Sequence, residues 1–358
     1  MIPMDDCGPS AAGEPVTLEA WRRLYAAAVK VHEMEPWTWM EETDVFGVWP
    51  PGRDLPVFVS VMGLLGEYYA VAVYPGPREL YQFWQVEAMP DDERSVDHLM
   101  NIAQLHAAFG GARDLEPADK RIIKELGLKF RGEHAWPYFR SFRPGYFPWF
   151  IEPPEAHLLT LALEQLLEVA PRVQMDRSLL SAQDRLGSVL VRESAGKGEK
   201  AGGSWRESRH VFPPVTTTFR IEVPGALMSE VRALKHSGLT FEVDVFALPM
   251  RIGKKGERPQ RPCALLVVDS ASCFVLGIEL LTVETTLEAM WASVPGRLLE
   301  IIRQNGTRPA ALAVHTPWVH MVLDSVCREL GIALQPKRRL PALQAARRNL
   351  EQYTLGKR

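Results

Sequence analysis

At 358 residues, with 46% hydrophobic and 24% charged side chains, the chain has the composition of a soluble globular protein, and its length suits two domains better than one. A formal net charge of -3 excludes a global basic field, so a nucleic-acid partner would need a local patch. No apolar run approaches the roughly 18–20 uncharged residues of a membrane span, and the start MIPMDDCGPSAAGEPV carries acids where a secretory signal is basic, so a cytoplasmic location with no membrane partner is expected.

Cys7, Cys263, Cys273 and Cys327 show no CxxC or Cys/His spacing that would suit zinc or a redox pair. They read as reduced thiols, the last three as small core residues.

Residues 1–15, rich in Pro, Gly, Ala and Asp without periodicity, read as a disordered tail. Thr17 then suits a helix N-cap, because Trp21, Leu24, Tyr25 and Ala28 follow at i, i+3, i+4 and i+7 on one face. Three strand-like runs come next, at 45–49, 57–62 and 68–74, with turn signals at Pro50-Pro51-Gly52 and 63–66 between them. They predict a small antiparallel meander. Leu80, Phe83 and Trp84 place a short helix on it, and 117–126 forms another, closed by Gly127.

Residues 130–151 read FRGEHAWPYFRSFRPGYFPWFI, with rings, arginines and prolines interleaved. Each ring carries roughly 150–250 Å² of buriable surface, and monomers rarely expose apolar patches above a few hundred Å². The stretch is therefore expected to be mainly a core wall, turning at Arg143-Pro144-Gly145-Tyr146 through a type II turn. What it leaves for ligand binding is a rim of His134, Arg140 and Arg143, with Tyr146 or Trp149 as an exposed ring beside them. The helix that follows, 155–170, carries leucines around almost its whole circumference and should be buried. A boundary near Pro171 gives an α+β N-terminal domain over 16–171.

Residues 172–257 read as a β-rich middle segment. VTTTFRIEV (215–223) alternates along most of its length and FEVDVFAL (241–248) nearly does, with a helix-like stretch over 226–235 between them. AGKGEKAGG (195–203) lies between apolar 189–191 and Trp205, and reads either as a linker or as a flexible hairpin tip.

The last domain, 258–358, opens with ALLVV (264–268), Asp269, a Ser270-Ala271-Ser272 turn and CFVLGIELL (273–281). Both strands are apolar at nearly every position, as central strands are. Thr285-Thr286-Leu287-Glu288 reads as a capping box with Thr285 as N-cap, and the helical region after it breaks at Pro295-Gly296 and ends at Asn305-Gly306. A strand (310–314), a helix (318–330) stopped by Gly331, a strand (332–334) and a last helix (340–353) complete the chain. Hairpin, helix, strand, helix, strand, helix makes an α/β mixed sheet with helices on both faces.

That order, with Asp269 ending its first strand, resembles the ribonuclease H-like fold of integrases and transposases, one edge strand short. The resemblance implies several carboxylates around two divalent metals, magnesium or manganese. Asp269 stands at the first carboxylate position and is the catalytic candidate, but the second position is His315-Thr316-Pro317, and Glu351 as a third sits among Arg347, Arg348 and Gln352. The competing reading of Asp269 is a turn-former. Apart from that metal no cofactor is expected: there is no Gly-x-Ser-x-Gly, P-loop or GxGxxG, and His32-Glu33 lacks the second histidine of a zinc protease. Lys337, Arg338, Arg339, Arg347 and Arg348 form either a phosphate-binding patch or an ordinary solvated face.

The whole chain also resembles a group of uncharacterised bacterial proteins built from two consecutive domains of unknown function. The motifs are Trp37-Thr38-Trp39-Met40, Val61-Met62-Gly63-Leu64-Leu65-Gly66-Glu67, Glu125-Leu126-Gly127-Leu128-Lys129-Phe130-Arg131-Gly132, Ala135-Trp136-Pro137 and Arg143-Pro144-Gly145-Tyr146. Arg308-Pro309 and Leu330-Gly331-Ile332 carry it in the C-terminal part. The resemblance implies an architecture and no reaction. The expected function is a non-catalytic binding or adaptor protein with a protein or nucleic-acid partner. The alternatives are a metal-dependent nuclease or nucleic-acid-binding protein with a ribonuclease H-like domain, or an enzyme with its pocket at 130–151.

Overall fold

The computed structural model describes residues 14–90, 94, 96–181, 187–194, 205–215 and 220–355. The tail over 1–13 with Cys7, the linker or tip at 195–203 and the side chain of Glu351 lie outside the described residues. The chain divides into two units, Met1–Thr216 with Lys254–Arg258, and Thr217–Gly253 with Pro259–Arg358.

In the first unit the order is α1 (Leu18–Met34), β1 (Phe46–Trp49), β2 (Val57–Met62), β3 (Tyr69–Tyr74), α2 (Pro77–Glu87), α3 (Val96–Met100), β4 (Gln104–Gly110), α4 (Pro117–Glu125), β5 (Trp136–Phe142), α5 (Pro153–Met175), β6 (Val189–Ser194) and β7 (Trp205–His210). Thr17 caps α1 as expected, its side chain accepting from Ala20 N. The sheet has seven strands in the order β5-β4-β3-β2-β1-β6-β7. It is antiparallel from β5 to β1, parallel between β1 and β6, and antiparallel again at β7.

The expectation of a small antiparallel sheet is therefore corrected: the sheet is large and mixed. QLHAAFG (β4) is buried at every position, so it lacks the alternation that marks a half-buried strand. β5 lies inside the aromatic stretch and tolerates Pro137 because it is an edge strand. β6 enters beside β1 at Gly47, where a Cβ would come 2.8 Å from Val191 Cγ2; the close approach needs glycine. One sheet face carries α1 and α5, joining Leu24, Tyr25 and Val31 to Leu159, Leu163 and the valines of β2 and β3. The other holds Phe58 and Tyr74 against Leu80 and Phe83 of α2. Pro171, read as a boundary, lies within α5, which continues to Met175.

The second unit runs α6 (Gly225–Ala233), β8 (Lys235–His236), β9 (Thr240–Ala247), β10 (Cys263–Asp269), β11 (Val275–Leu281), α7 (Leu287–Gln304), β12 (Thr307–Arg308), β13 (Ala311–Val314), α8 (Pro317–Leu330), β14 (Ala333–Pro336) and α9 (Pro341–Leu355). Its main sheet has five strands, β11-β10-β9-β13-β14. β9 is antiparallel to β10 and parallel to β13, which is parallel to β14.

Several expectations change here. The 241–248 strand is the centre of this sheet, so the hairpin is preceded by a strand that pairs with it; β6 and β7, also within 172–257, pair into the first sheet. Of 215–223, the described residues form no strand, and Val215 is 49% exposed, so no neighbouring sheet buries its apolar side. The N-cap is Thr286, accepting from Ala289 N, and α7 runs unbroken through Pro295, whose ring is buried in the core. Cys273 is exposed in the hairpin turn with φ 58° and is no core residue, whereas burial pushes the Cys327 thiol up to about 12. Among the described residues no helix is long and apolar enough to cross a membrane.

Candidate functional site

The aromatic stretch is a wall. Phe139 and Trp149 are buried, and Tyr25 meets Phe139 edge-on at 5.0 Å. The type II turn forms, with Tyr146 N donating to Arg143 O at 3.0 Å and Gly145 at φ 80°. The expected rim does not assemble. Arg140 is buried, its guanidinium gripping Asp119 through two bonds of 3.0 and 2.6 Å and lying 5.1 Å over the rings of both Tyr138 and Phe150. Burial pulls that guanidinium down, but the Asp119 hydrogen bond and charge outweigh it and the net shift is upward.

Trp149 is inside, so it is not the exposed ring, and Tyr146 is half-buried. Arg143 is exposed but held by Glu152 at 2.7 Å and Glu155 at 3.3 Å. His134 is exposed at φ 64° and packs edge-on against Tyr69 at 4.9 Å. Arg140 missed its rim because its carboxylate partner lies 21 residues away, beyond any local pattern.

A second cluster shows what sequence spacing does not. Glu193 on β6 and Ser208 and His210 on β7 are the residue types of a nucleophile, base and acid. Both Ser208 Oγ and Glu193 Oε1 lie 2.8 Å from the same ring nitrogen, Nε2 of His210. A relay needs the acid on one nitrogen and the hydroxyl on the other. The trio is a cross-strand tie.

In the second unit, Asp269 closes the β10–β11 turn, accepting from Ser272 N at 3.1 Å, from the Ser272 hydroxyl and from Ala271 N; the Ser272 bond holds its carboxyl below the usual range. The acids of the central strand were not singled out from the sequence. Glu242 and Asp244 alternate with Phe241, Val243 and Val245, and all five are buried, because α9 covers the face that alternation assigns to water. Glu242 accepts from Leu343 N at 2.8 Å, so it caps α9 from the sheet. Asp244 accepts from Val245 N at 3.0 Å and bonds Thr316; burial raises its carboxyl, with Thr316 and His315 pulling the other way. Glu242→Ala is expected to lower the unit's stability by about 2–3 kcal/mol, with Glu242→Gln losing less because it keeps an acceptor, as read from urea midpoints.

These residues do not fit the divalent metals implied by a ribonuclease H-like enzyme. Glu242 is spent on a helix end and Asp244 on Thr316. His315 Nδ1 donates to Lys337 O at 3.1 Å. Asp269 pairs with Phe241 in the β9–β10 ladder, three positions along β9 from Asp244, so roughly 10 Å of strand separates them. Among the described residues no group of three His, Cys, Asp or Glu side chains is placed to hold a metal ion.

Lys337, Arg338, Arg339, Arg347 and Arg348 are all exposed. Arg347 lies 4.4 Å over the Phe246 ring, whereas Lys337, Arg338 and Arg339 form no ion pair among the described residues. The three follow β14 at the carboxyl ends of the parallel strands, beside His315. A cavity of about 160 Å³ opens at the end of β11, between Leu281, Thr285, Met290 and Arg297. It is smaller than the roughly 300–1,000 Å³ of ordinary ligand pockets.

No curated protein matches the chain. Residues 21–192 match the family model of a domain of unknown function (DUF7309), a span that runs from α1 into β6. Residues 228–351 match that of a second domain of unknown function (DUF6930), from α6 into α9 and including β9, the central strand of the sheet. The chain is therefore a two-domain protein in which these two domains of unknown function stand in tandem.

Proposed function

We propose that the chain is a non-catalytic binding protein whose second unit is a ribonuclease H-like sheet with a closed acidic centre. The strand order supports the fold reading: β9, β13 and β14 run parallel and β10 lies antiparallel between β9 and β11, so a central first strand precedes the hairpin. The observation that carries the function is the pair Glu242 and Asp244. A hydrolytic centre aims its carboxylates at metals and water, whereas these two are buried and bonded to Leu343 N and to Thr316. With magnesium or manganese present, wild-type protein, Asp244→Asn and Asp269→Asn are expected to leave DNA and RNA equally uncut. Metal-dependent cleavage that disappears in either variant would overturn the proposal.

For the partner, one observation favours nucleic acid: Lys337, Arg338 and Arg339 are consecutive, exposed and unpaired among the described residues, at the strand ends where open α/β sheets take ligands. Retention on heparin and on DNA should then fall with salt. Arg338→Ala with Arg339→Ala should cut the logarithmic salt slope by about 2. Unchanged retention in that variant would leave a protein partner in its place.

A further inference from the structure

The strand directions gather several features at one end of the second unit's main sheet. β9, β11, β13 and β14 all run the same way, so their carboxyl ends lie together, and α7, α8 and α9 start from there. Lys337 is tied to the end of β13, its N donating to Val314 O at 2.8 Å and its O accepting from His315 Nδ1 at 3.1 Å. The basic run 337–339 therefore begins beside His315, three residues before Trp318.

Trp318, in the first turn of α8, stacks on Trp291 of α7, with ring centroids 4.9 Å apart and planes 20° from parallel. Trp291 continues the buried stripe of α7, one turn before Val294 and two before Leu298. Trp318 instead sits to the side of the α8 stripe of Val319, Val322, Leu323 and Val326. One of its faces is taken by Trp291. The ring is only half-buried, and both Pro317 before it and Met321 one turn on are exposed.

The charges around it favour a polyanion. Lys337, Arg338 and Arg339 are exposed, whereas the acids of the central strand, Glu242 and Asp244, are buried and bonded. Glu284 and Glu288 flank the start of α7. A phosphate at the run thus meets three cations and no carboxylate of β9. Cations hold phosphates in any strand, but a base stacks on a side chain only where its own face is open, as a single strand allows and the interior of a duplex does not.

We propose that Trp318 and Lys337-Arg338-Arg339 form one site for single-stranded nucleic acid, with phosphates on the cations and a base on the free face of the indole. This rests on the nucleic-acid reading of the same basic run given above and adds to it the strand state and the stacking residue.

Anisotropy of a labelled oligothymidylate of about 15 nucleotides, and of a duplex of the same length, tests this on the full chain at about 50 mM salt. Wild type should hold the single strand at least tenfold more tightly than the duplex. Trp318→Leu should lose about tenfold on the single strand, the worth of one stacked base, and nothing on the duplex, while Trp318→Tyr keeps a stacking ring and most of the affinity. Should Trp318→Leu fail to fold, the strand preference of wild type decides. Equal affinity for the two forms would sink the stacking site and leave the run as a phosphate patch, as would a folded Trp318→Leu that binds the single strand like wild type. Binding to neither form would remove the nucleic-acid reading itself.

Discussion

Asp119→Ala is expected to cost the first unit about 3–5 kcal/mol, the largest loss from any single side chain considered above. Asp119 takes three bonds: two from the Arg140 guanidinium, and one from Glu116 N at 2.9 Å that forms half of the capping box of α4. Alanine would strand a buried guanidinium between Tyr138 and Phe150 and release the start of α4 in the same step. Urea unfolding followed by tryptophan fluorescence reads the loss. The double variant Asp119→Ala with Arg140→Met should recover part of it, because the uncompensated charge is what costs most. A single-variant loss below about 1 kcal/mol would mean that water reaches the guanidinium, as at an exposed pair.

The same ion pair shows how much of the molecule was legible in the sequence. Local signals were reliable: Thr17 caps α1, Val57–Met62 is a strand with the bounds given to that apolar run between its turn signals, and Gly127 and Gly331 end their helices at positive φ. Those features depend on a residue and its near neighbours. What depended on a distant partner was misplaced. Arg140 looks like a rim cation until Asp119 is set beside it.

Glu242 and Asp244 look solvated until α9 is laid over β9. CFVLGIELL carries the composition of a central strand, yet it stands at an edge, because nothing in its nine residues records whether a second neighbour exists. The pattern fixes which faces are apolar, and only the tertiary fold decides which of them are covered. The candidate site failed for the same reason. Asp269 was chosen by its place in a hairpin, while the sheet's central strand, with its buried acids, lay in a segment read as separate.

His106 supplies the second large effect, and it is one of pH. The imidazole sits in β4 between Gln104 and Tyr68. Gln104 donates its amide to Leu99 O at 2.9 Å, so its Oε1 faces Nε2 of His106 at 2.9 Å and must accept, which places the ring proton on Nε2. Nδ1 then accepts from the Tyr68 hydroxyl at 3.1 Å. Neither neighbour can compensate a positive ring, and burial drives its pKa down to about 3.

In the unfolded chain the same ring titrates near 6.5. Below that pH the unfolded state takes up a proton that the folded state refuses, so stability falls as pH drops from about 6.5 towards 3, at about 1.4 kcal/mol per unit. Carboxylates join in near the bottom of that window, so the clean reading lies between pH 6.5 and 4.5, where wild type should lose about 2–3 kcal/mol more than His106→Gln. Urea midpoints at both values measure the difference. Parallel losses in the two proteins would show that the folded state admits the proton, with Tyr68 turning its hydroxyl to accept from Nδ1.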